Sequence, residues 1–455
     1  MQGEKKARID WKFMTPLVLS NMMNPLNSSM LVTALGTICH HFSQEVSAGA
    51  LLVTPLYVAA TIGQPLMGRL ADMYDPKTIN KIGVLLVLLA GVIGMLAPSF
   101  SWLIVSRVLL GIGTSAAYPS SMAIVAHRYA EEGKTIPGSV LGVITVSSQV
   151  CLVVGPLLGG FLTQLLGWQG VFAINIPWAL ATLFFSKNIS PIKRSVVTAS
   201  FLKKIDMPGI LLFSALLIFL LLTFIQHHIR WEFLLAILLS FAGLVVRERT
   251  QENPFIDIRL LWTQPSLLLV YVRTLATNYI LYLLIYAMPQ WVEAVKSMSP
   301  AQTGFIVMPM TLMSALSAIL TSKTKNMTLI NICAIASMAL TCAAIFLLDH
   351  TLPLWEIIAV TLLAGTAMGI NIVANQVALS AEAPSGKTGV SFGLYRTFGY
   401  LGAIVSGMQI KTLFQKGVND RSIYLCGVYA SISCFALAVF YFSSFRKLVL
   451  QREKV

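Results

Sequence analysis

Fourteen mainly apolar stretches follow one another along the chain, at about 13–38, 47–70, 79–97, 102–126, 138–164, 168–186, 207–226, 231–247, 265–288, 301–322, 328–348, 353–380, 389–412 and 422–444. A segment of roughly 20 such residues crosses the hydrocarbon core of a bilayer. In lipid every backbone N–H and C=O must be satisfied, so stretches like these fold as helices. Hydrophobic residues make up 56% of the 455 and charged residues only 11%, which excludes an ordinary soluble domain. The longest connection, about 187–206, has no room for a soluble module. The first stretch is long and lacks a small-residue cleavage site, so it is expected to remain as a span. The expected class is an all-α integral membrane protein.

The net charge of +14 would suggest a nucleic-acid surface on a soluble chain. Here the positions of the charges give a different meaning. With both termini placed in the cytoplasm, 24 of the 32 Lys and Arg face that side. Five lie in outward loops (Arg230, Lys296, Lys411, Lys416, Arg421), and Arg107, Arg273 and Arg396 fall inside spans. This is the positive-inside asymmetry, and no nucleic-acid partner is expected. The six cysteines sit in or beside apolar stretches, with no CxxC and no metal spacing. His40-His41 and His227-His228 read as solvated loop residues, so no metal site is expected. No HExxH, nucleophile elbow or P-loop occurs, so membrane proteolysis and ATP-driven transport lack their residues, and no enzyme is expected.

The most informative stretch is Gly142–Gly160. Ser147, Cys151, Gly155 and Gly159 recur every four residues, so one helical face carries only small side chains and another backbone can approach it. Pro156 removes one backbone hydrogen bond inside that face and predicts a bend. A GxxxG spacing alone reads as a packing seam. The wider pattern resembles the antiporter motif of major facilitator exporters, with Gly142, Gly155, Pro156, Gly159 and Gly160 in place and Cys151 where the second glycine stands.

Further stretches resemble the same superfamily. Gly68, Leu70, Ala71, Asp72, Pro76 and Lys77 match its signature loop, with Lys for Arg, while Met73 and Asp75 depart from it. Arg107, Gly111 and Gly113 resemble its third motif, and Gly167–Pro177 resembles its GWRWxFxxNxP stretch. Ile205–Gly209 and Pro254–Arg259 resemble the segments that open the inserted span 7 and precede span 9. An internal echo, GALLVTP at Gly49–Pro55 and GFIVMP at Gly304–Pro309, fits two related halves.

The resemblance is to the fourteen-span drug:proton antiporters of the major facilitator superfamily. It implies a six-helix bundle over 1–186, a linker with two inserted helices over 187–264, and a second six-helix bundle with a short cytoplasmic tail over 265–455. It further implies alternating access, with the Gly142–Gly160 face as a bending seam. Gly68, Asp72 and Lys77 would form a cytoplasmic latch, and Arg107 would take part in proton coupling. The proton gradient would be the energy source, with no cofactor. The setting would be the cytoplasmic membrane and its lipids, with no obligate protein partner.

Polar residues within spans are costly in lipid and mark either helix-to-helix bonds or a cavity. Arg107 shares a face with Gly111, Thr114 and Tyr118, with snorkelling to the outer interface as its rival reading; for Arg273 and Arg396 the rival is snorkelling to the cytoplasmic side. Asn24 and Asn27 flank Pro25, Asn371 and Asn375 share a face, as do Asn278 and Tyr282, and Gln149 lies in span 5. Each alone could be structural, but as a set they predict a substrate cavity between spans 1, 4, 5, 9 and 12. No Asp or Glu stands near the middle of a span, which disfavours lipophilic cations as cargo. The expected activity is export of small amphiphilic molecules by proton antiport. A dedicated exporter of a neutral or anionic metabolite, siderophore- or lipid-like, is the alternative. A non-transporting receptor or scaffold would need a soluble signalling segment or a large loop, and neither stands between the spans.

Overall fold

The computed structural model describes residues 9–44, 49–192, 206–225, 230–251, 261, 263–298, 300–324, 326–415 and 417–452. Each apolar stretch is helical, and the breaks fall at capping side chains, glycine and proline. The helices are α1 (Trp11–His41), α2 (Ala50–Met73), α3 (Pro76–Met95), α4 (Phe100–Ser115), α5 (Ala117–Glu131), α6 (Gly138–Leu166), α7 (Gly170–Ala173) and α8 (Asn175–Phe185). They continue as α9 (Met207–Ile225), α10 (Trp231–Thr250), α11 (Pro265–Lys296), α12 (Pro300–Ser322), α13 (Met327–Ile345), α14 (Leu354–Glu382), α15 (Thr388–Phe414) and α16 (Asp420–Arg452).

Local chemistry sets the ends. The Asp10 carboxylate accepts from the N–H groups of Lys12 and Phe13 and starts α1. Asp75 does the same for α3, with Pro76 in the first helical position. Gly167, at φ 72°, ends α6. Among the described residues nine helical runs are long and apolar enough to cross a membrane, counting Phe100–Glu131 as one, or ten with the bent α6 included. The α6 bend is 44°, and it falls at Val153. The carbonyl that loses its partner to Pro156 belongs to Leu152, so sequence and geometry meet at the same turn.

The chain divides into two units, Met1–Ile258 with Ala383–Thr397, and Arg259–Glu382 with Phe398–Val455. Two features distinguish these units from the bundle, linker and bundle expected from the sequence. The inserted pair α9 and α10 groups with the first unit, where α9 packs on α2 as well as on α10. The opening turns of α15 also group with the first unit, drawn there by a close approach to α2 at Gly68.

Each unit has its own core. In the first, Met30, Leu31, Ile38, Leu103, Trp168 and Phe172 pack between α1, α4 and the α6–α7 turn. In the second, Leu284, Met288, Trp291, Met310 and Ile357 join α11, α12 and α14. Lipid tails are as apolar as these side chains, so close packing and polar bonds hold helices together. A Cβ on Gly83 would lie 2.6 Å from the Gly113 carbonyl, and one on Gly113 2.7 Å from the Gly83 carbonyl, so α3 and α4 cross backbone to backbone.

Candidate functional site

Arg107 is the largest polar side chain sealed inside the first unit, at 1% exposure. Its Nε donates to the Leu52 carbonyl at 2.8 Å, and one terminal nitrogen reaches the Asn27 carbonyl at 3.4 Å. No carboxylate among the described residues lies within ion-pair distance of it, and its other terminal nitrogen has no hydrogen-bond partner. Among the described residues its hydrogen bonds go to backbone carbonyls, which leaves its charge without a counter-ion. Snorkelling to the interface is excluded by its burial.

The small-residue face of α6 lies against α1. A Cβ on Gly155 would overlap the Ser29 hydroxyl, and one on Gly159 would lie 2.5 Å from the Met30 carbonyl. The Ser29 hydroxyl bridges the two helices, bonding the Pro25 carbonyl at 2.8 Å and the Cys151 carbonyl at 3.0 Å. Gly142 is buried, whereas Gly160 has open space where a Cβ would stand. Gly155 and Gly159 therefore lie in the seam, and Gly160 is off it.

The signature loop is arranged differently from the pairing the sequence suggested. The Asp72 carboxylate accepts from the N–H groups of Gly389 and Val390, both at 2.7 Å, and so caps the start of α15. Those N–H groups have no partner within their own helix, and the positive end of the helix dipole favours a carboxylate there. Lys77 instead donates to the Ile189 carbonyl, and the N–H of Ile192 bonds Asp75 at 3.1 Å. The Asp72 bonds therefore run from α2 to α15, while Lys77 is bonded to the Ile189 carbonyl. Gly68 lets α15 come this close: a Cβ there would overlap the Gly389 carbonyl, and one on Gly393 would overlap the Gln64 carbonyl. The opening of α15 belongs to the first unit because three glycines allow it to lie on α2.

The amides expected to line a cavity are mostly committed to helix contacts. Asn27 forms a reciprocal amide pair with Asn175, at 2.6 and 2.8 Å, which ties α1 to α8. Asn24 donates to the Thr114 hydroxyl at 2.9 Å. Asn371 bonds the carbonyls of Ala334 and Ala367, and Asn375 donates to Thr277 at 3.1 Å while accepting from Arg273. Asn278 bonds the Thr274 carbonyl, the Tyr282 ring lies tilted against Tyr286 at 5.5 Å between centroids, and Gln149 is buried on α6. A small cavity of about 20 Å³ remains beside Arg273, Thr277 and Asn371 in the second unit, enough for one water. An amide in lipid satisfies itself on a neighbouring helix where it can, because an unpaired polar group there is costly.

Sequence reasoning passed over several residues. Asn80 is buried and joins Ser20 and Ser120, at 3.3 and 2.9 Å; a lone amide early in an apolar stretch was its signal. Asp206 and Glu248 are both buried beside the inserted helices, Asp206 paired with Arg247 at 3.0 Å. At the mouth of the second unit, His350 Nδ1 lies 2.7 Å from Asp420 and 2.5 Å from Asp349, and Trp291 donates to Asp420. These three acid and imidazole groups sit close enough to share an ion, but His350 is already bonded to both carboxylates.

Comparison with known proteins decides the family. The family model described as the Major Facilitator Superfamily matches residues 17–407. The chain belongs to the Major Facilitator Superfamily. The "Uncharacterized MFS-type transporter YwoD" of Bacillus subtilis (strain 168) is 30% identical over 433 residues, 93% of this chain and 94% of that protein. The multidrug efflux pump SdrM of Staphylococcus aureus (strain N315) is 26% identical over 307 residues, 65% of each chain. Among solved structures, the human organic anion transporter MFSD10 (TETRAN) superposes with a TM-score of 0.68 at 17% identity, covering 94% of this chain and 99% of that one; it shows a shared fold. This major facilitator chain is thus a multi-pass membrane transporter and not an enzyme.

Proposed function

We propose that this transporter exports small amphiphilic molecules across the cytoplasmic membrane by alternating access, driven by proton antiport. Fourteen spans with cytoplasmic termini fit the helices found over each apolar stretch and the one-sided Lys and Arg. The observation that carries the reading is the bent α6 seated by Gly155 and Gly159 on α1, a contact so close that sliding or bending there repacks the whole helix pair. Multidrug efflux pumps among the relatives favour outward transport of amphiphiles. The latch of Asp72 on α15 supplies a bond that can hold one state and release in the other, and Arg107 supplies a buried charge whose balance a proton can alter.

The test is dye uptake into inside-out membrane vesicles containing the full chain, using rhodamine 6G and fluorescein, with and without a protonophore. Uptake of either dye that the protonophore abolishes is the expected result. Arg107→Ala and Gly155→Leu should each reduce it at least tenfold with the protein still in the membrane. Unchanged uptake in both variants, or no proton-dependent uptake of either dye, would sink the reading.

A further inference from the structure

A second arginine, Arg396 on α15, has an environment that a helix staple does not explain. Its guanidinium carbon stands 4.2 Å from the centre of the Tyr118 ring. Phe392 and Tyr395 flank the same ring, at 5.7 and 6.3 Å between centroids. All four residues belong to the first unit. Tyr118 is 3% exposed, and its buried hydroxyl has no hydrogen-bond partner. The buried Nε of Arg396 has none either, and no carboxylate among the described residues pairs with it. A cation over a ring uses the flat face of the guanidinium and leaves its in-plane N–H groups directed elsewhere. Buried donors of this kind are normally satisfied. One turn before Tyr118, across the break at Ala116, Thr114 accepts from Asn24, so a polar strip continues along α4 and α5.

We infer that Tyr118 and Arg396 recognise the carboxylate of an aromatic organic anion. The planar fork of the guanidinium matches a carboxylate in its own plane, and the phenol hydroxyl donates to the same oxygens. The rings of Phe392 and Tyr395 offer surfaces for the aromatic body of the ligand. This rests on the transporter reading and narrows its cargo: a fixed positive charge among rings favours anions, in a chain whose spans hold no central acid.

The test compares fluorescein, an aromatic carboxylate, with rhodamine 6G, which shares the xanthene frame but is esterified and cationic. Binding to the purified full chain in detergent is read by fluorescence polarisation, alongside thermal unfolding. Saturable fluorescein binding is expected, weakened roughly tenfold or more in R396Q and about threefold in Y118F, with R396K between wild type and R396Q because it keeps the charge and loses the fork. Absence of saturable fluorescein binding by the wild type would overturn the inference, as would wild-type affinity in R396Q. If R396Q does not fold, wild-type affinity in both R396K and Y118F is the overturning result. Proton-driven uptake of rhodamine 6G separates the two readings: uptake with fluorescein binding indifferent to Arg396 removes only the carboxylate site. Binding decides this inference even where neither dye is transported.

Discussion

The α2–α4 pair of the first unit and the α12–α14 pair of the second are the same construction with a single side chain exchanged at the key carbonyl. In the first, Gly111 faces the carbonyl of Leu56, the residue after Pro55. In the second, Gly365 faces the carbonyl of Met310, the residue after Pro309. One turn earlier on the partner helix, Arg107 Nε bonds the Leu52 carbonyl at 2.8 Å, and Thr361 bonds the Ile306 carbonyl at 3.2 Å. One turn later, Gly63 meets Ser115 in the first unit, and Ser317 meets Gly369 in the second, glycine and serine having traded helices. Each residue pair is separated by the same interval in sequence. The bond to the carbonyl is therefore a packing need that a neutral threonine meets. The charge of Arg107 exceeds that need, and the proposed proton coupling would use it.

The largest effect should come from breaking the shared crossing. Gly111→Leu and Gly365→Leu each put a branched side chain against a backbone carbonyl that cannot give, and both should abolish assembled protein. The check is the folded fraction in detergent by size-exclusion chromatography. Overpacking usually costs about 1–3 kcal/mol, and a backbone obstacle places these at or beyond the upper end. A folded, stable G365L would show that the two crossings differ after all.

Next comes the exchanged side chain. Arg107→Thr gives the first unit the second unit's residue and should leave the melting temperature close to wild type while proton-driven uptake falls about 100-fold. A variant that unfolds would return Arg107 to a structural role. The glycine–serine trade sharpens the point further. Gly63→Ser alone should destabilise, and adding Ser115→Gly should recover most of the loss, since the double variant copies the second unit. Coupling between touching residues is commonly about 0.5–3 kcal/mol.

How much of this was legible beforehand follows from where the information lies. Helix positions, the α6 bend and the tight face of Gly155 and Gly159 are local, written in apolar length, one proline and a four-residue spacing. The echo around Pro55 and Pro309 was visible too, but its meaning was not, because the glycine that each proline turn meets lies on another helix. The partners of Asp72 were hidden for the same reason: Gly389 and Val390 offer only backbone N–H groups, which no side-chain pattern announces. Asn27 looked like a cavity residue because its mate, Asn175, sits far along the chain. Amides pair in space, and a single sequence does not say with what.

The latch itself should show a moderate effect. Asp72→Asn keeps one acceptor but loses the charge facing the α15 terminus, and each charge-assisted bond is typically about 1.5–3 kcal/mol. Uptake should fall several-fold, with Asp72→Glu intermediate. Lys77→Gln, whose partner is a loop carbonyl rather than Asp72, should change uptake less than Asp72→Asn. Equal losses in the two would restore the pairing expected from the sequence.

The smallest expected effect separates the units at their loop ends. In the first, the α3–α4 turn is held by rings: Phe42 lies 6.3 Å from Phe100 and 5.3 Å from Trp168 between centroids. In the second, the α13–α14 loop is held by charge, His350 bridging Asp349 and Asp420, with Lys296 donating to the carbonyls of His350 and Leu352. The hydrogen bond to Asp420, with the neighbouring carboxylate of Asp349, raises the His350 pKa above its usual 6.5. A raised folded-state value means that the clasp contributes fully below about pH 6.5 and loses that contribution as pH rises through the higher folded value. The melting temperature should therefore drift downward from pH 6 towards pH 9, and His350→Gln should lower it at pH 6 and remove this component of the drift. Phe100→Leu should lower it by the same amount at both pH values, because ring contacts carry no proton. A pH dependence equal in His350→Gln and wild type would mean that the charged clasp is a surface contact too exposed to hold the loop.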